Sequence, residues 1–104
     1  MVQQANPARG EAMLRVAGEQ YLLRPSFTAL VAAEEEVGSL FALVERAAAG
    51  ELRLAEMAAL FWHVIDARPE SVTREAVGEA VLGMGLAGAT PVLKLVLRQI
   101  LVGR

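Results

Sequence analysis

Cysteine is absent from the 104 residues, which removes disulfides, thiolate nucleophiles and thiolate metal sites together. A reducing cytoplasm is compatible with that absence. Histidine occurs once, at His63, so no pair exists to bind a metal or to relay a proton. Serine and threonine are sparse (Ser26, Thr28, Ser39, Ser71, Thr73 and Thr90), and several stand where helix caps belong, which explains them without a nucleophile. An excess of positive charge is also missing. Ten basic against twelve acidic residues give a net charge of −2, so no basic field is present to hold nucleic acid by phosphate neutralisation. The longest apolar stretch, 80–93, is broken by Thr90 and Pro91 and followed by Lys94 and Arg98, too short and interrupted to span a bilayer. The first ten residues are polar and lack the apolar run of a secretory signal.

What is present is apolar and mostly aliphatic. Hydrophobic residues make up 55% of the chain and aromatics only 5%, a mixture suited to thin helices packed closely. The apolar fraction exceeds what a small core needs, which leaves apolar surface for a partner. The length fits a single domain over 1–104, with a flexible N-terminus at 1–10, a β-hairpin at 11–24 and a helical bundle at 26–102.

The hairpin rests on alternation. Ala12, Leu14 and Val16 fall on one face and Met13 and Arg15 on the other, Ala17-Gly18-Glu19 signals a turn, and Tyr21 to Arg24 supplies a second run. Helices must cover one face of so small a hairpin, and both of its edges are expected to remain available. Ser26 caps a helix to about Val37, stopped by Gly38, with Phe27, Leu30, Val31 and Val37 as its apolar face. Ser39 caps a second helix over 40–49, with Leu40, Leu43, Val44 and Ala47 on one side. A third runs over 54–67, its core stripe being Leu54, Met57, Ala58, Phe61, Val64 and Ile65. After the break at Arg68-Pro69-Glu70, Ser71 or Thr73 caps a fourth helix. Gly83, Gly85 and Gly88 read as a loop, and Thr90 with Pro91 opens a last helix over 91–102. The expected class is therefore α+β, mostly α, with an N-terminal hairpin on a bundle of about five short helices.

Three features invite a chemical reading. Gly83-Met84-Gly85-Leu86-Ala87-Gly88 matches the dinucleotide fingerprint in letters only. A helix precedes it instead of a strand, and no acidic residue follows Glu79 to hold a ribose. His63 lies opposite the Phe61/Val64/Ile65 stripe, near Glu56, and reads as a solvated surface side chain with nothing to orient it. Glu34 is different: within the Glu34–Glu36 run it falls in the middle of an apolar face. A carboxylate there needs hydrogen bonds or a cation, which Arg24, Arg46, Arg98 or the backbone N–H groups from Ser39 onward could supply. The readings of Glu34, in order, are a buried structural anchor, a partner contact and a general acid or base. No catalytic residue, cofactor or metal ligand emerges, and the protein is expected not to be an enzyme.

The last helix is apolar around most of its circumference, with only Lys94, Arg98 and Gln99 forming a polar stripe. Such a helix is either central in the core or shared with a partner. The candidate partner surface is Leu93, Leu97, Ile100 and Leu101, with Phe61 or Trp62 beside it.

The order of features resembles one family. Asn6-Pro7-Ala8-Arg9-Gly10-Glu11, the turn at Gly18, the Leu23-Arg24 strand end, and the helix carrying Ala29-Leu30, Glu34 and Gly38 are similar to the small tail protein of gene transfer agents, which are phage-like particles of alphaproteobacteria. That group is classed with phage tail assembly chaperones. The 54–65 helix, the segment Val72 to Glu79 and the apolar C-terminal helix extend the likeness over about 6–102; Pro25 and the triple glutamate depart from the pattern. The resemblance implies a role in building a siphophage-type tail, under two inequivalent labels: tail tube component and tail assembly chaperone. A chaperone would hold the helical tape-measure protein soluble in the cytoplasm while the tail tube polymerises around it. A tube component would stay in the particle. About five helices and one hairpin favour the chaperone, because a tube subunit is normally larger and β-rich. Partners implied are the tape measure and tail tube proteins, and a homo-oligomer is compatible with the surplus apolar surface. A retained structural component is the first alternative. A DNA-binding regulator, with the Thr73 and Pro91 helices as a helix-turn-helix pair, is the remote one, since few of their side chains could read base edges.

Overall fold

The structure, a computed structural model, describes residues 5–6 and 11–101, the side chains of Leu86, Gln99, Ile100 and Leu101 excepted. Alternation in the first segment does make a hairpin: β1, Ala12–Val16, pairs antiparallel with β2, Glu19–Leu23. The two-residue turn places Ala17 at φ 51° and Gly18 at φ 85°, as a type I′ turn requires at both positions. Ala12, Leu14 and Val16 are buried on the core face. Leu22 and Leu23 are both buried as well, so the end of β2 is covered on both sides. The segment proposed as a flexible N-terminus lies outside the described residues, apart from Ala5 and Asn6. Asn6 is tied to Glu11 through its backbone carbonyl (3.1 Å) and its N–H (3.0 Å).

Four helical spans follow: α1, Phe27–Val37; α2, Leu40–Ala48; α3, Leu54–Val64; and α4, Arg74–Leu101, itself two helices meeting at a kink. With the hairpin they form the α+β, mostly helical architecture that the periodicity implies. Ser26 caps α1 by accepting from the Ala29 N–H, Ser39 caps α2 through Ala42, and Thr73 caps α4 through Ala76.

Four local expectations are corrected. First, α1 does not bury Phe27 and Val31, which are 82% and 37% exposed. It turns Ala33 fully inward, with Ala29, Leu30 and Val37 half-buried around it. A side without bulk lets α1 lie close on α3, and tertiary packing overrides the wider apolar stripe. Second, α3 stops at Val64. Ile65 becomes extended and bridges Leu23, with the Arg24 N–H donating to the Val64 carbonyl (2.7 Å) and the Asp66 N–H to that of Leu22 (2.8 Å). The outer edge of β2 is thus occupied there, against the expectation of two open edges. Leu54, assigned to the α3 core stripe, is 47% exposed.

Third, the glycine-rich segment is mostly helix. Only Gly85 departs, at φ 70° and ψ 173°, a conformation that a side chain would make costly. Gly88 is close-packed for a different reason: a Cβ there would sit 3.2 Å from that of Met84 across the kink, so a side chain would require Met84 to shift by a few tenths of an ångström. Fourth, Thr90 and Pro91 do not open a helix, because Pro91 lies inside the second arm, 86–101. Pro91 forfeits one backbone hydrogen bond there. The core gathers Leu14, Val16 and Leu23 of the hairpin with Leu60, Phe61 and Val64 of α3 and Val77, Val81, Leu93 and Val96 of α4.

Candidate functional site: an apolar groove and a charged corner

The apolar last helix resolves into a buried side and an open one. Ala89, Leu93, Val96 and Leu97 recur at helical spacing and are buried, while Lys94 and Arg98 face solvent. Beside Leu93 and Leu97 runs a groove of about 330 Å³ between the second arm of α4 and α2. Val44, Ala47 and Ala48 of α2 form the other wall, Leu52 and Met57 the floor, and Thr90 and Lys94 stand on the rim. Phe41, 67% exposed, shares the α2 face of Val44 and Ala48 by its i, i+3, i+7 spacing. It prolongs the apolar strip toward the start of that helix.

The sequence-derived partner set is therefore split. Leu93 and Leu97 line the groove, the side chains of Ile100 and Leu101 lie outside the described residues, and Phe61 is fully buried in the core. Trp62 belongs to another region, where its indole N–H donates to the Val72 carbonyl (3.0 Å). What periodicity missed was the α2 wall: its residues are small and unremarkable alone, and only the crossing of α4 makes them a surface.

The second region is a charged corner joining α1, α3 and the start of α4. Glu36 accepts from Arg74 and lies 2.8 Å from Nε2 of His63. His63 is thus paired with Glu36 and has only 13% of its side chain exposed, in place of the solvated position near Glu56. The guanidinium carbons of Arg68 and Arg74 lie 3.4 Å and 4.3 Å from the Trp62 ring centroid, a doubled cation–π contact. Arg74 and His63 hydrogen bonds hold the Glu36 carboxyl below the usual carboxylate range. Burial, reinforced by the Arg74 charge, lowers the Arg68 pKa.

Nearby, a polar hollow of about 670 Å³ is lined by Glu36, Arg46, Glu51, Arg53 and Glu56. Arg46 pairs with Glu56 in its wall. Burial pushes the Glu56 carboxyl up, but the Arg53 N–H and the Arg46 guanidinium outweigh it and hold it low. Opposite charges thus satisfy one another there. Among the described residues no group of three or more His, Asp or Glu side chains could hold a metal ion, and no helix is long and apolar enough to cross a membrane.

Glu34 is half-buried and accepts from the Leu40 N–H (3.1 Å), so its carboxylate helps cap α2, one of the partners expected for it. The most buried carboxylate is instead Glu11, 5% exposed, which takes the Arg24 Nε (3.2 Å) and the Asn6 N–H. Arg24 also approaches Asp66 at 3.5 Å. A signal for this was present: extending the Ala12–Leu23 pairing by one step sets Glu11 opposite Arg24.

The fold and groove define a small, mostly helical domain with an N-terminal hairpin and an apolar groove between α2 and the second arm of α4. The chain belongs to the family described as phage tail tube protein, GTA-gp10, which matches residues 9–103. Its role accordingly lies in a phage-type tail. No curated protein and no solved structure shows a significant match.

Proposed function

We propose that this protein is an assembly factor for a phage-like tail, a tail assembly chaperone whose α2/α4 groove takes an amphipathic helix of the tape-measure protein. The observation that carries this reading is the groove itself. Its walls are aliphatic (Val44, Ala47, Leu52, Met57, Leu93, Leu97), the surface that helix-in-groove recognition uses. Uncovered apolar area of this kind is costly in water. Secondary structure supports the same choice, since the two-stranded sheet among the described residues has too few strands to close a barrel wall. In this reading the protein acts in the cytoplasm before assembly is complete, by contact and without catalysis. Nucleic acid is a poor fit, because the exposed cations described on the second arm of α4 are only Lys94 and Arg98.

The test is co-expression with helical tape-measure fragments, followed by pull-down and light scattering. Phe41→Glu and Ala48→Glu put carboxylates on exposed positions of α2, the first on the apolar strip beside the groove and the second in its wall. They are expected to weaken capture at least tenfold, on the order of 1.4 kcal/mol, while leaving the fold intact. Normal tails after deletion of the gene, together with no binding to any fragment, would end this reading.

A second reading, a component retained in the particle, is favoured by the family's description as a tail tube protein. Mass spectrometry of purified particles separates the two. A chaperone is absent or strongly substoichiometric, whereas a component is present at a fixed ratio.

A further inference from the structure

Hydrogen-bond phase along the hairpin leaves one short edge without a hydrogen-bond partner among the described residues. Leu22 and Arg24 direct their backbone groups away from β1, to Asp66 and Val64. Alternation along an antiparallel ladder then requires Tyr21 and Leu23 to bond inward, to Leu14 and Ala12. On β1 it follows that Glu11, Met13 and Arg15 direct their N–H and C=O groups to the outer edge. The Glu11 N–H is already engaged by the Asn6 carbonyl. Among the described residues, no hydrogen bond involves the outward backbone groups of Met13 or Arg15. Proteins usually cover, bend or block such an edge. Here the bridge to Ile65 closes part of β2 and Asn6 closes the start of β1, and while α4 packs against β1, no described hydrogen bond reaches the outward backbone of Met13 or Arg15.

We propose that this edge is a self-pairing surface: two copies of the chain join β1 to β1 antiparallel, around a two-fold axis at Leu14. The occupant follows from the register. With the axis at Leu14, Met13 faces Arg15 of the partner subunit and Arg15 faces Met13 of the partner subunit. All four outward groups of each copy are then used, giving four hydrogen bonds across the interface. Moving the axis to Arg15 sets two guanidinium groups opposite each other, which is unfavourable across strands. Moving it to Met13 calls on the Glu11 N–H, already engaged. The edge is thus complementary to itself in one register and poorly so in its neighbours. A two-fold interface between identical surfaces requires that property. Met13 is half-buried and Arg15 exposed, so the aliphatic stem of Arg15 can lie along the facing methionine with its charge in water. This surface is separate from the groove, and the inference stands whether or not the groove binds a tape-measure helix.

The test is sedimentation velocity of the full chain across the micromolar to submillimolar range, with circular dichroism to verify folding. A monomer–dimer equilibrium is expected. Met13→Pro deletes only an outward N–H, as edge positions tolerate, and should abolish the dimer. If Met13→Pro does not fold, Met13→Arg serves instead: it sets Arg against Arg in the two symmetry-related pairs and should weaken dimerisation roughly tenfold. Adding Arg15→Glu to Met13→Arg turns both pairs into ion pairs in this register alone and should restore the wild-type association. A wild-type chain that stays monomeric throughout overturns the proposal. So does a dimer indifferent to both single changes, or one that the double variant fails to rescue.

Discussion

The charged corner and the apolar groove flank the same core, and they are finished in opposite ways. At the corner every strong polar group has a partner: Glu36 with Arg74 and His63, Trp62 with Val72, and Arg68 with the Trp62 ring and carbonyl. Along the groove, Val44, Leu52, Leu93 and Leu97 meet one another around a space that no described residue fills. Exposed ion pairs contribute little stability each. The corner ties α1 and α3 to the start of α4 through paired charges, while the groove leaves aliphatic side chains around an open space.

Both sides rest on the core that holds Phe61, and removing that side chain should affect them together. Phe61→Ala is expected to cost about 3–5 kcal/mol, read by chemical denaturation, with corner and groove lost in one transition. Separate transitions would show that the regions do not rest on one core. Trp62→Phe is the next largest, at about 1–2 kcal/mol, since it strands the Val72 carbonyl and weakens the doubled cation contact. Its effect should be confined to the corner, leaving capture by the groove unchanged.

Glu36→Gln is smaller, below about 1 kcal/mol at neutral pH, because the carboxylate is more than a third exposed and screened. Its signature is pH dependence. The folded carboxyl is held low by Arg74 and His63, so its contribution is present above the unfolded carboxylate pKa. It is lost as pH falls through the lower folded value. Between those two values the wild type should lose stability with acid, and Glu36→Gln should flatten that limb; an unchanged acid limb would remove Glu36 from the account. Ala48→Glu closes the series, with a change in stability within about 0.5 kcal/mol alongside the loss of partner capture. A variant that keeps full capture would move the binding surface away from the groove.

Different elements were legible for different reasons. The hairpin could be read because period-two alternation and a two-residue turn are local, and its register even contained the Glu11–Arg24 pair. Helix starts at Ser26, Ser39 and Thr73 could be read because a cap is a contact over three residues. The corner could not, since Glu36 reaches 27 residues to His63 and 38 to Arg74, and no spacing rule connects them. Half of the groove lining was legible, in Leu93 and Leu97. Its other wall was missed because alanines and a valine on α2 look like ordinary core until a second helix passes beside them.

By itself, then, the sequence determined the class of the protein: a hairpin, short capped helices and an aliphatic excess too large for the core, all set by local dihedral preference and side-chain periodicity. Tertiary structure alone decided which apolar residues were covered. It turned Phe27 and Val31 of α1 outward, drew Ile65 out of α3 to close a strand edge, and kinked α4 at Gly85. Each of these outcomes depends on close packing between segments distant in the chain, where the fit of neighbouring surfaces outweighs the preference of any one stretch.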